Sequence, residues 1–249
     1  MQKIKLYIPL FLLSLLIFSC NTTYQPKTVQ YKDYKINNTG VANTAITALL
    51  KPYADSVNKS MNDVIAICNT DLEKKQPEGT LGNVLADAML KMGEKKFNTR
   101  VDAAFINYGG IRLPGVSAGN ITRGKIFEMS PFDNLIILQS LSGKVLQQFA
   151  DFVAEKGGWP CSGISFAIKN KKAVNIMIGG KPLDENATYT IANNDYVVNG
   201  GDDCEVLKKI PQQNKAYIFR DAIFDYFSAL TKEGKQVNGK IENRITNAE

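Results

Sequence analysis

The 249-residue sequence contains no histidine. That absence removes Ser-His-Asp and Cys-His catalysis, imidazole-based zinc sites and His-rich dimetal phosphoesterase sites from these residues. Any chemistry they carry must use carboxylates, Lys, Arg, Tyr, Ser or backbone groups, or draw on another molecule. Cysteine is scarce too. Cys20, Cys68, Cys161 and Cys204 include no Cys-x-x-Cys pair, which argues against a cysteine metal site. No Lys/Arg block interleaved with aromatics is present, so a nucleic acid polymer is not an expected partner. No repeat, low-complexity run or Pro/Gly/Ser linker divides the chain. What remains is 44% hydrophobic and 22% charged, the balance of an ordinary globular protein.

The first residues are read separately. Met1–Ser19 (MQKIKLYIPLFLLSLLIFS) places two lysines before a short apolar run, the pattern of a secretory signal peptide. The run falls short of the ~20 apolar residues that a membrane span requires. Ile17-Phe18-Ser19-Cys20 resembles a bacterial lipobox, in which the Cys is acylated and becomes the new N-terminus. The expectation is a lipid anchor at Cys20, a polar tether over residues 20–30, and attachment to the cell envelope facing periplasm or exterior. Loss of Lys3 and Lys5 with the leader lowers the formal charge of +6 by two. Cys68, Cys161 and Cys204 then form an odd set, compatible with one disulfide plus a free thiol or with three buried thiols.

From about Tyr31 to the C-terminus (31–249) the pattern reads as one domain. Ile46, Leu49, Leu50, Tyr53 and Val57 recur at helical spacing over Asn43–Ser60. Asp63–Cys68 is a short candidate buried strand. Thr80 is placed to cap a helix with Leu81, Val84, Leu85, Ala88, Met89 and Met92 on its apolar face. Val101–Asn107 and Asn134–Leu141 read as strands, and a helix follows from Ser142 with Val145, Leu146, Phe149, Phe152 and Val153 inward. Ser165–Lys169 and Ala173–Ile178 flank Asn170-Lys171-Lys172 as a hairpin. Thr188–Ala192 reads as a strand and Ala216–Leu230 as a final helix. The fold class is therefore α/β (α+β), a mixed sheet layered with helices.

Three segments cluster polar and glycine residues where strands end, the place where open α/β folds hold ligands. In Asn107-Tyr108-Gly109-Gly110-Ile111-Arg112, the paired glycines permit close backbone approach or positive φ, and Arg112 offers a planar fork for phosphate or carboxylate. A tight turn with a surface arginine is the plain alternative. In Pro131-Phe132-Asp133-Asn134, Phe132 can present its face to a flat ring or join the core. In Asn193–Asp203, Tyr196 follows a strand and Asp202 can accept hydrogen bonds from vicinal sugar hydroxyls. A calcium loop from Asp195, Asp202 and Asp203 competes with that reading, without the EF-hand spacing. Together the segments suit a flat base, a hydroxylated sugar and an anion.

In this order, with the Leu81-Gly82-Asn83-Val84-Leu85-Ala86-Asp87-Ala88-Met89 helix and the Gly119-Asn120-Ile121-Thr122 link, the segments resemble the C-terminal domain of the 5′-nucleotidase family. The resemblance covers nearly the whole mature chain and implies a substrate-recognition domain. It implies that Asn107, Arg112 and the Gly109-Gly110 backbone contact the nucleotide and that Phe132 and Tyr196 sandwich the base. Asp202 would hold the ribose hydroxyls. Many relatives carry an Arg upstream of the Leu-Gly-Asn turn. Here Lys75 stands in that stretch, without the bidentate fork.

Family members hydrolyse phosphate esters with an N-terminal dimetal domain that uses several His, and these residues contain none. The resemblance thus implies no catalytic residue and no resident metal or other cofactor here. The expected function is the recognition half of a split 5′-nucleotidase working with a separate metallophosphatase chain. A lipoprotein that captures nucleosides or nucleotides for uptake is the alternative, and a scaffold that binds nothing is a third.

Overall fold

The computed structural model describes residues 28, 30–34 and 43–248. The expected signal peptide Met1–Ser19, Cys20 and most of the polar tether lie outside them. The chain divides into two compact units, Met1–Thr47 and Ala48–Glu249. The architecture below is that of the second, except that the first four residues of helix α1 (Thr44–Thr47) fall in the first.

Helix α1 (Thr44–Met61) leads into β1 (Val64–Cys68), β2 (Leu72–Glu73), α2 (Thr80–Phe97) and β3 (Ala103–Phe105). After a single 3₁₀ turn at Tyr108–Gly110 come β4 (Gly115–Val116), β5 (Gly119–Thr122), α3 (Arg123–Met129) and β6 (Leu135–Ser142). Next are α4 (Gly143–Glu155), β7 (Cys161–Ser162), β8 (Ile164–Lys169), β9 (Lys172–Ile178) and β10 (Lys181–Pro182). The chain continues through β11 (Thr188–Asn194), α5 (Asp195–Val198), β12 (Gln212–Ile218), α6 (Phe219–Lys232) and β13 (Ile245–Asn247).

The central sheet has the order β12-β6-β11-β3-β7. It is mixed, with β11 parallel to β3 and the other neighbours antiparallel. Side chains alternate across a strand, and here both faces are covered. Ala104, Ile136, Leu138 and Ala192 join one core with α2 and α6 residues Leu85, Met89, Ile223 and Phe227. Phe105, Ile137, Leu141 and Ile191 join a second core with Leu146, Phe149 and Val153 of α4 and with Phe166 and Ile176 of a second sheet, β10-β9-β8-β13. The architecture is a mixed α/β sheet layered between helices on one side and a helix plus a smaller sheet on the other. Burial on both faces is why β6 opens with the continuous apolar run Leu135–Leu138.

Local chemistry agrees with several expected boundaries. Ser142 caps α4, its hydroxyl accepting from the Val145 N–H at 3.4 Å. Asn170 and Lys171, both at positive φ, turn the β8–β9 hairpin. Elsewhere the structure differs. Thr80 does not cap α2, because its hydroxyl accepts from the Glu73 N–H (2.8 Å) and ties β2 to the helix start. Val64 and Ile67 are exposed, so β1 buries one face only. Residues 212–218, including Tyr217 and Ile218 expected in the last helix, form edge strand β12 beside β6. Its Gln-Gln-Asn-Lys stretch is exposed and lacks an apolar period that would mark a strand. Helix α1 forms where its spacing predicts, yet buries none of its residues. Cys68, Cys161 and Cys204 are free and buried, which selects three thiols over a disulfide.

Candidate functional site

Strands β3 and β11 run parallel and end at the same edge of the central sheet, where antiparallel β6 begins. Asn107 follows β3, Asn194 ends β11, and Phe132 precedes β6, so topology alone draws the three segments to one edge. There they line a cavity of about 290 Å³, formed by Asn107, Gly109, Gly110, Arg112, Phe132, Asn134, Tyr196 and Asp202. That volume sits at the small end of ligand pockets, which run from about 300 Å³ upward.

Buried Asn107 is the hub. Its Nδ2 donates to Asp202 Oδ2 (2.8 Å), and its Oδ1 accepts from Asn194 Nδ2 (2.9 Å). Asn194 Oδ1 in turn accepts from the Val197 N–H (2.8 Å), capping the short helix α5 that carries Tyr196. Gly110 makes the hub possible: a Cβ there would stand 2.7 Å from Asn107 Oδ1. The glycine is needed for close approach rather than for positive φ, which neither Gly109 nor Gly110 adopts.

Phe132 and Tyr196 are 45% and 47% exposed. These values remove the core alternative for Phe132 and leave ring surface of both aromatics open. Phe132 is presented by a loop that α6 holds down. Arg220 donates from Nη1 to the Ser130 and Phe132 carbonyls (3.3 and 3.4 Å), pairs with Asp133, and lies over the Phe127 ring (4.3 Å). Arg112 stands 5.7 Å from the Phe132 ring centroid and donates a hydrogen bond to the Gly109 carbonyl at 3.3 Å. Tyr196 rests on Gly201, where a Cβ would come within 2.4–2.6 Å of its ring. Its hydroxyl donates to Asp202 Oδ1 (3.1 Å) and accepts from the Asp202 N–H (3.2 Å).

Lys75 is exposed and lies outside this cavity, in a separate depression with Gln76, Pro77, Glu78 and Ile241. Its neighbour Lys74 is the basic residue beside Arg112. Lys74 Nζ donates to the Ile111 carbonyl (2.8 Å) and sits 4.0 Å from the Tyr108 ring centroid. Burial, then the Arg112 charge, pushes its pKa below the ordinary lysine value. The reason is strand geometry: extended backbone after β2 sends consecutive side chains to opposite sides. Lys74 and Arg220 escaped the sequence reading because they lie outside the three segments, while Asn134 and Asn194 lie within two of them and were given no role.

The three acids considered for calcium do not gather. Asp195 accepts from the Leu135 and Tyr196 N–H groups, Asp202 serves Asn107 and Tyr196, and exposed Asp203 faces Lys156 at 3.6 Å. Among the described residues no group of three Cys, Asp or Glu side chains is arranged to hold a metal. The described residues therefore offer no donor set for a dimetal centre, and none of them is given a metal.

A family model described as 5′-nucleotidase, C-terminal domain, matches residues 44–209. The chain is 28% identical over 198 residues to the 5′-nucleotidase of Vibrio vulnificus, covering 69% of this chain and 34% of that one. It is 31% identical over 185 residues to the trifunctional nucleotide phosphoesterase protein YfkN of Bacillus subtilis, covering 68% of this chain and 12% of that one. Among solved structures, the 5′-nucleotidase precursor of Thermus thermophilus superposes with a TM-score of 0.70 at 28% identity, over 83% of this chain and 44% of that one. The chain thus spans about a third or less of the length of these two curated relatives. The match extends over two thirds of the chain, which belongs to the 5′-nucleotidase C-terminal domain family.

Proposed function

We propose that this chain is the nucleotide-recognition half of a split 5′-nucleotidase, positioning a nucleotide for hydrolysis by a separate metallophosphatase chain. The supporting observation is convergence: Asn107, Arg112, Phe132, Tyr196 and Asp202 line one cavity. In this reading Phe132 and Tyr196 hold the base, Asp202 the sugar hydroxyls, and Arg112 with Lys74 the anionic end. The 249 residues contain no histidine, so the metal-bound nucleophile is assigned to the partner. This half contributes by orienting the phosphate, which converts a bimolecular encounter into an aligned one. A lipid on Cys20 ties it to the cell envelope, facing periplasm or exterior.

The test is reconstitution. The purified chain with Mn²⁺ or Zn²⁺ should leave AMP intact, and activity above that of a metallophosphatase partner alone should appear when the two are mixed. Robust turnover by the chain alone overturns the split. Tight nucleoside binding with no gain from any partner favours the capture lipoprotein instead. Labelled palmitate should enter the wild-type chain and not Cys20→Ala; equal labelling removes the anchor.

A further inference from the structure

Hydrogen bonds around the cavity close on themselves. Asn194 donates to Asn107, Asn107 to Asp202, Tyr196 to Asp202, and Asn194 caps the helix on which Tyr196 sits. The circuit joins the ends of β3 and β11 to the Gly201–Asp203 turn. Asp202 needs such support, since it adopts φ 54° and ψ 25°, left-handed backbone that a non-glycine residue enters at a cost. The Tyr196 hydroxyl holds it twice, accepting from its N–H and donating to its carboxylate.

An ionised carboxylate offers about four acceptor positions. Asn107 fills one on Oδ2 and Tyr196 one on Oδ1, which leaves about two, one on each oxygen, on a side chain lining the cavity. A cis-diol brings two hydroxyl donors. Resting on the nucleotide reading above, we propose that the Tyr196 hydroxyl, as distinct from its ring, is a positioning group that fixes Asp202 for a vicinal diol and so makes the site select ribose over sugars lacking it. A phenylalanine at 196 would keep the ring on Gly201 and lose both bonds. The carboxylate would then keep one of its two side-chain bonds, that from Asn107, and the left-handed Asp202 would lose both bonds from the Tyr196 hydroxyl.

The experiment compares adenosine with 2′,3′-dideoxyadenosine by calorimetry on the full chain, wild type against Tyr196→Phe, with Asp202→Ala as a second variant. The wild type should prefer adenosine. Tyr196→Phe should lower the ratio of the two affinities about threefold to tenfold, the scale of one or two net hydrogen bonds, and Asp202→Ala should lower it at least as far. A merely structural hydroxyl would weaken both ligands together and leave the ratio intact; that result, or an unchanged ratio in Tyr196→Phe, overturns the inference alone. A wild type with no preference for the diol overturns it as well. A wild type that binds neither nucleoside removes the nucleotide reading and this inference with it.

Discussion

Two guanidinium groups in this chain live in opposite circumstances. Arg244 is largely buried, and all three of its nitrogens are engaged. Nε and Nη2 donate to Glu242, Nη1 to the Asn83 and Cys161 carbonyls, and Nη1 and Nη2 to Asp87 at 2.8 and 2.9 Å. Burial alone would lower its pKa, but Asp87 and Glu242 more than offset that and hold it above the ordinary arginine value. Arg112 is exposed at the cavity and donates one hydrogen bond, to Gly109 at 3.3 Å. A saturated charge staples the segment before β13 to α2 and β7, whereas an unsaturated one has donors left for an incoming anion. Donor count, more than residue type, separates a saturated structural arginine from one with donors left over.

The contrast breaks most visibly at Arg244. Arg244→Ala strands Asp87 as a partly buried carboxylate without its partner, at an expected cost of about 3–5 kcal/mol in stability, read from urea unfolding. A loss below about 1 kcal/mol, the range of an exposed pair, would make the two arginines alike. At the cavity the expected losses fall on binding. Phe132→Ala and Tyr196→Ala should each cost about 1–3 kcal/mol of nucleoside affinity by calorimetry, the scale of a base–aromatic stack. A double variant with wild-type affinity would remove the sandwich.

A third measurement uses the thiol that packs at the Arg244 staple. Burial pushes Cys161 up to about 12 and Cys204 up to about 11, against an ordinary value of 9.0. The folded chain therefore keeps protons that the unfolded chain releases above pH 9.0. Stability is whole below that pH and falls as pH rises, by about 1.4 kcal/mol per unit for each thiol. Cys161→Ala should flatten the slope between about pH 9 and 11 by one thiol's share. An unchanged slope would show that this thiol does not titrate with unfolding. The smallest effect sharpens the Arg112 side. Arg112→Ala should weaken AMP relative to adenosine by about 1 kcal/mol, an exposed charge being screened by solvent and salt, with unfolding midpoints close to wild type. Equal loss for both ligands would move Arg112 away from the anion.

Much of the fold was legible because its signals are local. The α4 stripe of Leu146, Phe149 and Val153 and the β8–β9 hairpin around Asn170-Lys171 follow from spacing and turn chemistry. The cavity residues Asn107, Arg112, Phe132, Tyr196 and Asp202 were legible through motif order. Strand β12 was not, since an exposed edge paired on one side needs no apolar face. Helix α1 shows the converse: its apolar spacing predicts a helix, but spacing does not say what covers the stripe. Lys74 and Lys75 are indistinguishable as neighbours in a charged loop, and the β2–β4 pairing decides which one stands beside Arg112.

By itself the sequence determined the longer helices, the strands around β3, β6, β8, β9 and β11, the absence of imidazole chemistry in these residues and the kinds of group available for recognition, because these depend on residue type and short-range period. Only the tertiary structure decided that β3 and β11 end at one edge, that Asn107 and Asp202 meet across ninety-odd residues, and which polar groups are saturated. Hydrogen-bond capacity is used up by partners distant in the chain, and no local pattern records who those partners are.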